Sequence, residues 1–424
     1  MSLLEIASRP RRSKQDISSD ALANRDANLR VRALTDRPDL LPQALRSGLS
    51  LSEIQVWDIA ATSQRLSYGT HGFSRYFGKF PPPIAQHLMA TYSRKGAVIA
   101  DPMCGSGTST LEALLDGNDV IASDVSPLAV MLTNAKTRLG MRVADLVSAA
   151  EETIRLSRRM KAVVPDLHLS LRNPSHWFLD ETVNNLGKIN AAIGRVTADV
   201  PEAAPFLYAS LAAIIRQASR ATSQQGRLFL DVDSAVPDPR EIFERRMQKN
   251  LAALQSLPRY ARRPARVADA RLVRFPKAVD LAIMHPPYFN AYKYSAVYSL
   301  ELAWLGHAIK SIRHGELREG FKQGAKASVG DYIDDLMAAI LNVSPQLAPR
   351  GKIAVMAGDT VLCGTYIPVL KLLCEGLKQR GLKPISIAMR PPRFTEASWV
   401  ASQRRETLAL GAQMADYVVV FELT

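Results

Sequence analysis

Residues 97–108, Ala-Val-Ile-Ala-Asp-Pro-Met-Cys-Gly-Ser-Gly-Thr, constrain the fold more than any other stretch of the chain. Ala97 to Ala100 is a short apolar run of strand length, and Asp101-Pro102 ends it. Gly105 and Gly107 can take positive φ, so the backbone turns tightly and leaves room for a ligand. Thr110 to Leu115 then reads as a helix. Strand, glycine-rich turn and helix form the unit with which a doubly wound α/β sheet binds a nucleotide-like cofactor over its first strand. Residues 117–124 give a second strand ending in Asp124. It lies 17 residues past Gly107, about where an acidic side chain grips ribose hydroxyls.

The turn excludes two cofactor classes. A dinucleotide fingerprint wants a third glycine where Thr110 stands, and no Gly-Lys-Ser/Thr marks a P-loop. An acidic residue opening the turn suits a cofactor that carries a cation and no pyrophosphate. The stretch Asp101-Pro-Met-Cys-Gly-Ser-Gly-Thr108 resembles the S-adenosylmethionine-binding motif of DNA amino-methyltransferases. That resemblance implies S-adenosylmethionine as cofactor, with Asp101, Pro102, Met103, Gly105, Gly107, Thr108 and Asp124 around it. Upstream, His71-Gly-Phe-Ser-Arg-Tyr-Phe-Gly-Lys-Phe-Pro-Pro-Pro83 resembles the Lys-Phe-x-Pro segment of the same enzymes. It implies Lys79 and Phe80 at the methionine end of the cofactor. His71 and His87 read as structural. Asp124-Val-Ser-Pro-Leu-Ala129 also follows the family pattern and opens a helix through about Leu139.

A second motif completes the pairing. Val279 to Met284 reads as a fourth strand, running into His285-Pro286-Pro287-Tyr288-Phe289-Asn290 at the carboxyl end of the sheet. It resembles the Asp/Asn/Ser-Pro-Pro-Tyr motif of enzymes that methylate the exocyclic amine of adenine or cytosine, and implies that His285, Pro286, Pro287 and Tyr288 are catalytic. An exocyclic amine is a poor nucleophile because its lone pair is delocalised into the ring. Acceptors aimed at its two N–H bonds restore pyramidal character. Two prolines remove backbone donors and stiffen the loop, so the Pro286 carbonyl can accept one N–H and the first side chain the other. Tyr288 offers a flat face to a base taken out of the duplex. His285 departs from the family pattern: it accepts only through an unprotonated ring nitrogen. The expectation is that activity falls as pH drops through the ordinary histidine pKa of about 6.5. Cytosine-C5 chemistry needs a thiolate. No Pro-Cys pair occurs, and Cys104 belongs to the cofactor turn.

The family likeness spans roughly residues 70–140 and 265–424. It implies an α/β, Rossmann-like class I methyltransferase fold: a seven-stranded, mostly parallel sheet with an antiparallel last strand, plus a helical insertion. The expected organisation is an N-terminal basic arm and helix over 1–65, a catalytic core over 66–140 and 263–424, and the insertion over 141–262. Arg9 to Lys14 reads either as a solvated tail or as an arm touching phosphate. Leu49 to Ile59 is expected to pack as a helix. Helical periods dominate the insertion, with Leu186, Ile189 and Ile193 on one face and Leu207, Leu211, Ile214 and Ile215 on another. Polar Ser219 to Gly226 breaks it. Target recognition and packing or dimerisation both remain open for this segment. Trp177 and Phe178 read as core, and Asp180 as a helix cap. Six arginines fall within residues 259–274, Arg262, Arg263 and Arg266 among them, as a phosphate clamp or a solvated linker. Arg266 to Asp269 reads as a third strand, and the resemblance sets Asp269 against the adenine amino group of the cofactor. Residues 321–330 read as a mobile loop over the site, and the basic excursion from Arg390 to Arg405 as a DNA contact or a hairpin extension.

Net charge is +14, which favours a polyanion, and nucleic acid over membrane because no basic amphipathic helix stands out. The three cysteines, Cys104, Cys363 and Cys374, show no metal spacing and fit a reducing cytoplasm. No signal peptide or long apolar run is seen, so a cytoplasmic protein is expected. The expected activity is methyl transfer from S-adenosylmethionine to adenine N6 or cytosine N4 in DNA, as in restriction–modification. An RNA amino-methyltransferase and a catalytically inactive nucleic-acid-binding relative are the alternatives.

Overall fold

Strand β8 (Val279–Met284) shows why the sheet is two-sided. Leu281 and Ile283 point into one apolar cluster, Ala282 and Met284 into another, and all four are buried. A strand covered on both faces needs apolar residues at every position, which is the signature of a parallel sheet. The structure, a computed structural model, describes residues 29–61, 65–224, 227–258, 261–289, 293–317, 329–362, 365–391 and 415–424.

In chain order the strands are β1 (Leu29–Ala33), β2 (Ile54–Ile59), β3 (Val98–Asp101), β4 (Asp119–Asp124), β5 (Ala221–Gln224), β6 (Arg227–Leu230), β7 (Arg266–Val267), β8, β9 (Leu347–Gly358), β10 (Thr360–Leu362), β11 (Thr365–Ile367), β12 (Leu382–Arg390) and β13 (Asp416–Leu423). Nine of them form one sheet in the order β1-β2-β12-β13-β9-β8-β3-β4-β7. Strands β7, β4, β3, β8 and β9 are parallel, and β13 runs antiparallel between β9 and β12. This is the class I methyltransferase arrangement expected above, with two strands added. Chain order reverses direction across the sheet between β3 and β8, and ligands of such sheets bind at the carboxyl ends of the strands flanking that reversal.

The added strands correct the expected N-terminal helix. Residues 54–59 are strand β2, parallel to β12, and β1 pairs antiparallel outside it. Ile54 and Val56 are buried in one apolar cluster and Trp57 and Ile59 in the other, a β-branched and aromatic set that suits a strand covered on both faces. The helix of this region is instead α1 (Leu41–Ser47).

Helices α2 (Pro82–Tyr92), α3 (Thr108–Leu115) and α4 (Pro127–Lys136) follow. Pro127 occupies the first turn of α4, and the Ser126 hydroxyl accepts from Ala129 N at 3.5 Å. The segment between β4 and β7 is mainly helical: α5 (Val143–Ser157), α6 (Asp180–Asp199), α7 (Ala204–Ile215) and α8 (Pro239–Gln255). Its polar break is the β5–β6 hairpin, where no strand was expected. Asp180 stands inside the first turn of α6 rather than capping it. Phe178 is buried edge-on to Trp304, and Trp177 packs against the same core. Toward the carboxyl terminus come α9 (Ser299–Trp304), α10 (Ile309–Gly315), α11 (Val329–Val343) and α12 (Val369–Lys378). Helix α12 starts at Val369, with the β10–β11 hairpin directly ahead of it. Among the described residues no helix is long and apolar enough to cross a membrane. Arg9 to Lys14, Tyr292, Asn290, Cys363, residues 318–328 and most of the 390–405 excursion lie outside the described residues.

Candidate active site

At the carboxyl ends of β3, β4 and β8 the chain leaves a cavity of about 900 Å³, its open mouth included. This size suits a cofactor-sized molecule. The glycine-rich turn forms its floor. Gly105 takes φ 51°, and the Tyr76 ring lies 3.2 Å from where a Cβ would stand, so only glycine fits there. Gly107, at φ 75°, lets α3 approach Thr133 of α4, where a Cβ would fall 2.7 Å from the hydroxyl. Asp101, Pro102, Met103, Gly105 and Thr108 line the cavity, and Gly107 lies behind them.

Two carboxylates face this space. Asp101 accepts from the Ser109 hydroxyl and from Met103 N. Burial nonetheless pushes its pKa up to about 7. Asp124, closing β4, accepts from Gly105 N at 2.9 Å and Ser126 N at 2.8 Å, and burial raises it to about 6. Glu316, at the end of α10, raises Asp124 further and lines the same wall. Carboxyl groups desolvated beside one another are relieved by a cationic ligand. A sulfonium with an α-ammonium fits that pair of carboxylates.

Lys79 and Phe80 also reach the wall. The Lys79 ammonium, however, donates to the carbonyls of His71 (2.9 Å) and Ser74 (2.7 Å), and burial lowers its pKa to about 8. It braces its own loop. His71 and His87 are structural in geometry: His71 lies 2.6 Å from Glu112, and His87 packs edge-on to Trp57. Asp269 lines the cavity too, but its two oxygens accept from Arg271 N, Nε and Nη2 at 2.6–3.1 Å. The adenine contact implied for it requires Arg271 to move aside, whereas neighbouring Ala270 lies on the wall.

The second motif meets the first across this cavity. His285 and Pro287 line it together with Asp101 and Gly105. His285 sits between Phe80 (ring centroids 5.3 Å) and Tyr288 (5.5 Å), edge-on to both. Burial lowers its pKa to about 4, with Asp416 raising and Arg390 lowering it. The ring is therefore neutral at pH 7 and can accept a proton-bearing group. The pH at which this ring would gain a proton thus lies well below the ordinary histidine value, through a desolvation that the sequence does not report. The Tyr332 hydroxyl donates to the Pro287 carbonyl at 2.8 Å and pins the loop. Pro286 is buried and Tyr288 half-buried, neither on the cavity wall. The Tyr288 ring lies over Gly358, where a Cβ would fall 3.0 Å from Cε2.

Arg262, Arg263 and Arg266 are exposed and stand outside the cavity. Arg263 acts on Asp119 at the amino end of β4. That end is about 16 Å from Asp124 at strand rise. Sequence reasoning did not single out Tyr76, Glu316 or Lys136. Tyr76 stacks on Tyr298 with centroids 5.0 Å apart. Buried Lys136 donates to the Ser106 carbonyl at 2.6 Å and so holds the turn from behind. Tyr76 lies within the Lys-Phe stretch and could have been found there; Glu316 and Lys136 carry no local signal. Cys104 is buried with its pKa pushed well up, which keeps it a thiol.

Residues 82–162 match the family described as RMKL-like, methyltransferase domain. The Type II methyltransferase M.MvaI of Kocuria varians is 25% identical over 194 residues, 43% of this chain and 42% of that protein. The Type II methyltransferase M.BsoBI of Geobacillus stearothermophilus is 25% identical over 284 residues, 59% of this chain and 55% of that protein. The chain thus spans about half the length of these curated relatives. Among solved structures, TrmN from Thermus thermophilus aligns at 13% identity and a TM-score of 0.30, over 81% of this chain and 49% of that one. The likeness to DNA methyltransferases read from the motifs is borne out by the two curated relatives.

Proposed function

We propose that this chain transfers a methyl group from S-adenosylmethionine to the exocyclic amine of adenine (N6) or cytosine (N4) in DNA, as the modification half of a restriction–modification or related defence system. One observation carries the reading: Asp101 and Gly105 of the glycine-rich turn share a single cavity with His285 and Pro287 of the Pro-Pro-Tyr loop. The Type II methyltransferases among its relatives support DNA as the substrate.

Bound S-adenosylmethionine supplies an activated methyl on a sulfonium. The chain's own residues then need to place the amine more than to deprotonate it. Asp101 and Asp124 hold the cationic and ribose ends, and Phe80 covers the methionine end. The neutral His285 ring accepts one amine N–H through its bare nitrogen; the other falls to the Pro286 carbonyl, which stands off the wall here and has to turn toward the cavity to point the lone pair at the methyl. Tyr332 keeps the proline loop from yielding under that load.

The test is incubation of the purified chain with methyl-labelled S-adenosylmethionine and either duplex DNA or bulk tRNA, followed by mass spectrometry of the nucleosides. N6-methyladenine or N4-methylcytosine in DNA is the expected product. Label in tRNA alone would move the substrate to RNA. Label in neither, with nucleic acid still bound, would leave a binding protein.

A further inference from the structure

A second cavity, about 930 Å³ with its mouth included, adjoins the first. Residues 74–78 form the partition. Tyr76 turns toward the cofactor cavity, whereas Ser74 and Arg75 line the second one. Beyond the partition the walls come from Leu128 and Leu132 of α4 and from the end of α7, with α8 adding Arg246. Leu128 and Leu132 belong to the first turns of α4, the helix that follows the carboxyl end of β4.

Its charges do not balance. Arg75, Arg216 and Arg246 line it, against the single carboxylate of Glu301. Arg216 consumes that carboxylate at 3.0 Å and donates to the Val297 carbonyl at 2.7 Å. Its Nε is buried without a partner among the described residues. Arg75 and Arg246 have no carboxylate partner among the described residues. Arg246 is half-buried, and desolvation lowers its pKa, as an unanswered cation requires. Phe77 organises the group: the guanidinium of Arg75 lies 5.0 Å from its ring centre and that of Arg216 5.7 Å. Stacked guanidiniums keep their planar forks oriented, and such forks match the tetrahedral oxygens of phosphate.

We propose that this arginine-lined cavity seats a backbone phosphate of the nucleic-acid substrate, next to the nucleotide whose base enters the cofactor cavity. The inference rests on the methyl-transfer reading for its source of phosphate. The rings of Tyr76 and Tyr298 separate the two cavities by one stacked pair. A strand could therefore leave its base on one side and its phosphate on the other.

The test uses the full chain saturated with S-adenosylmethionine, as wild type, R75Q, R246Q and R246K. Duplex DNA, an RNA transcript and inorganic phosphate are the probes. Affinity for the nucleic acid is expected to fall about tenfold in each glutamine variant. The slope of log affinity against log salt should fall by about 0.9 for a duplex contact. R246K, which keeps the charge and loses the fork, should lie between. Cofactor affinity and melting temperature should not move. Unchanged affinity and slope in both glutamine variants, with wild type binding normally, would overturn the site. Should wild type bind no nucleic acid, the methyl-transfer reading falls by itself, and the phosphate arm decides the cavity. Stabilisation of wild type but not R246Q by inorganic phosphate would retain it as a free-phosphate site; no difference would overturn it.

Discussion

The His285 ring, held between Phe80 and Tyr288, sets the pH behaviour of the methyl-transfer step rather than of cofactor binding. Its pKa is lowered to about 4, so the neutral form persists until the pH falls through that value. The maximal rate at saturating cofactor should be flat from pH 5 to 8 and decline below about pH 4.5, measured by single-turnover methyl transfer. H285A removes one preorganised acceptor and should cost about 10²-fold in that rate. H285N, with an amide oxygen, should recover part of it. The two cavity carboxylates are shifted in the opposite direction. Their raised values, about 7 for Asp101 and about 6 for Asp124, mean that they gain protons as pH falls below neutrality. A cation then loses its counter-charges, so S-adenosylmethionine should bind more weakly at pH 5.5 than at pH 8, by about tenfold in isothermal titration. Residue identities at this scale were legible because the motifs are contiguous in sequence. Protonation states were not, because burial is assembled from segments as far apart as Phe80, His285 and Asp416. Asp269 does reach the cavity wall, and what the sequence did not report is its pairing with Arg271, itself aimed by Asp335 at 3.1 Å.

Elements place those residues through contacts that have no sequence periodicity. Gly358 ends β9 with its α-hydrogen against the Tyr288 ring. G358A puts a methyl about 3.0 Å from Cε2 and must displace the ring. The catalytic rate should fall while cofactor affinity holds, a split that a general loss of folding would not give. On α3, Glu112 is fully buried and accepts from Tyr68 at 2.5 Å, His71 at 2.6 Å and Gln86 at 2.8 Å. These bonds stitch the Lys-Phe segment to the helix that follows the glycine-rich turn. E112Q turns an N–H₂ toward donors and should cost about 1–3 kcal/mol in urea denaturation. Strand β3, its turn, α3 and β8 were readable because each is a contiguous apolar or glycine-bearing run. Residues 49–59 were misread as helix because four buried positions in six do not distinguish a strand from a helical face over so short a span. The β5–β6 and β10–β11 hairpins were missed because their strands are only three or four residues long, too short to show a period.

At the scale of the molecule, the segment between β4 and β7 is not an appendage. Leu186, Ile193, Leu207 and Leu211 share one apolar cluster with Leu128 and Leu132 of α4 and with Leu300 and Trp304 of α9. Such continuity was beyond the reach of a boundary drawn by composition, which sees helical periods but not what they face. The added strands have a consequence of their own. Without β2, strand β12 would be the last in its row, offering unpaired amides along Ile387, Ala388 and Met389 to any other chain. The strand that ends the row instead is β1, which bears Arg30 and Arg32, the latter 3.6 Å from Asp58 of β2. Charge on a terminal strand discourages a second sheet from docking there. Trimming the chain to start at residue 61 should therefore turn a dispersed protein into one that self-associates, visible by light scattering, before any change at the methyl-transfer cavity is detectable.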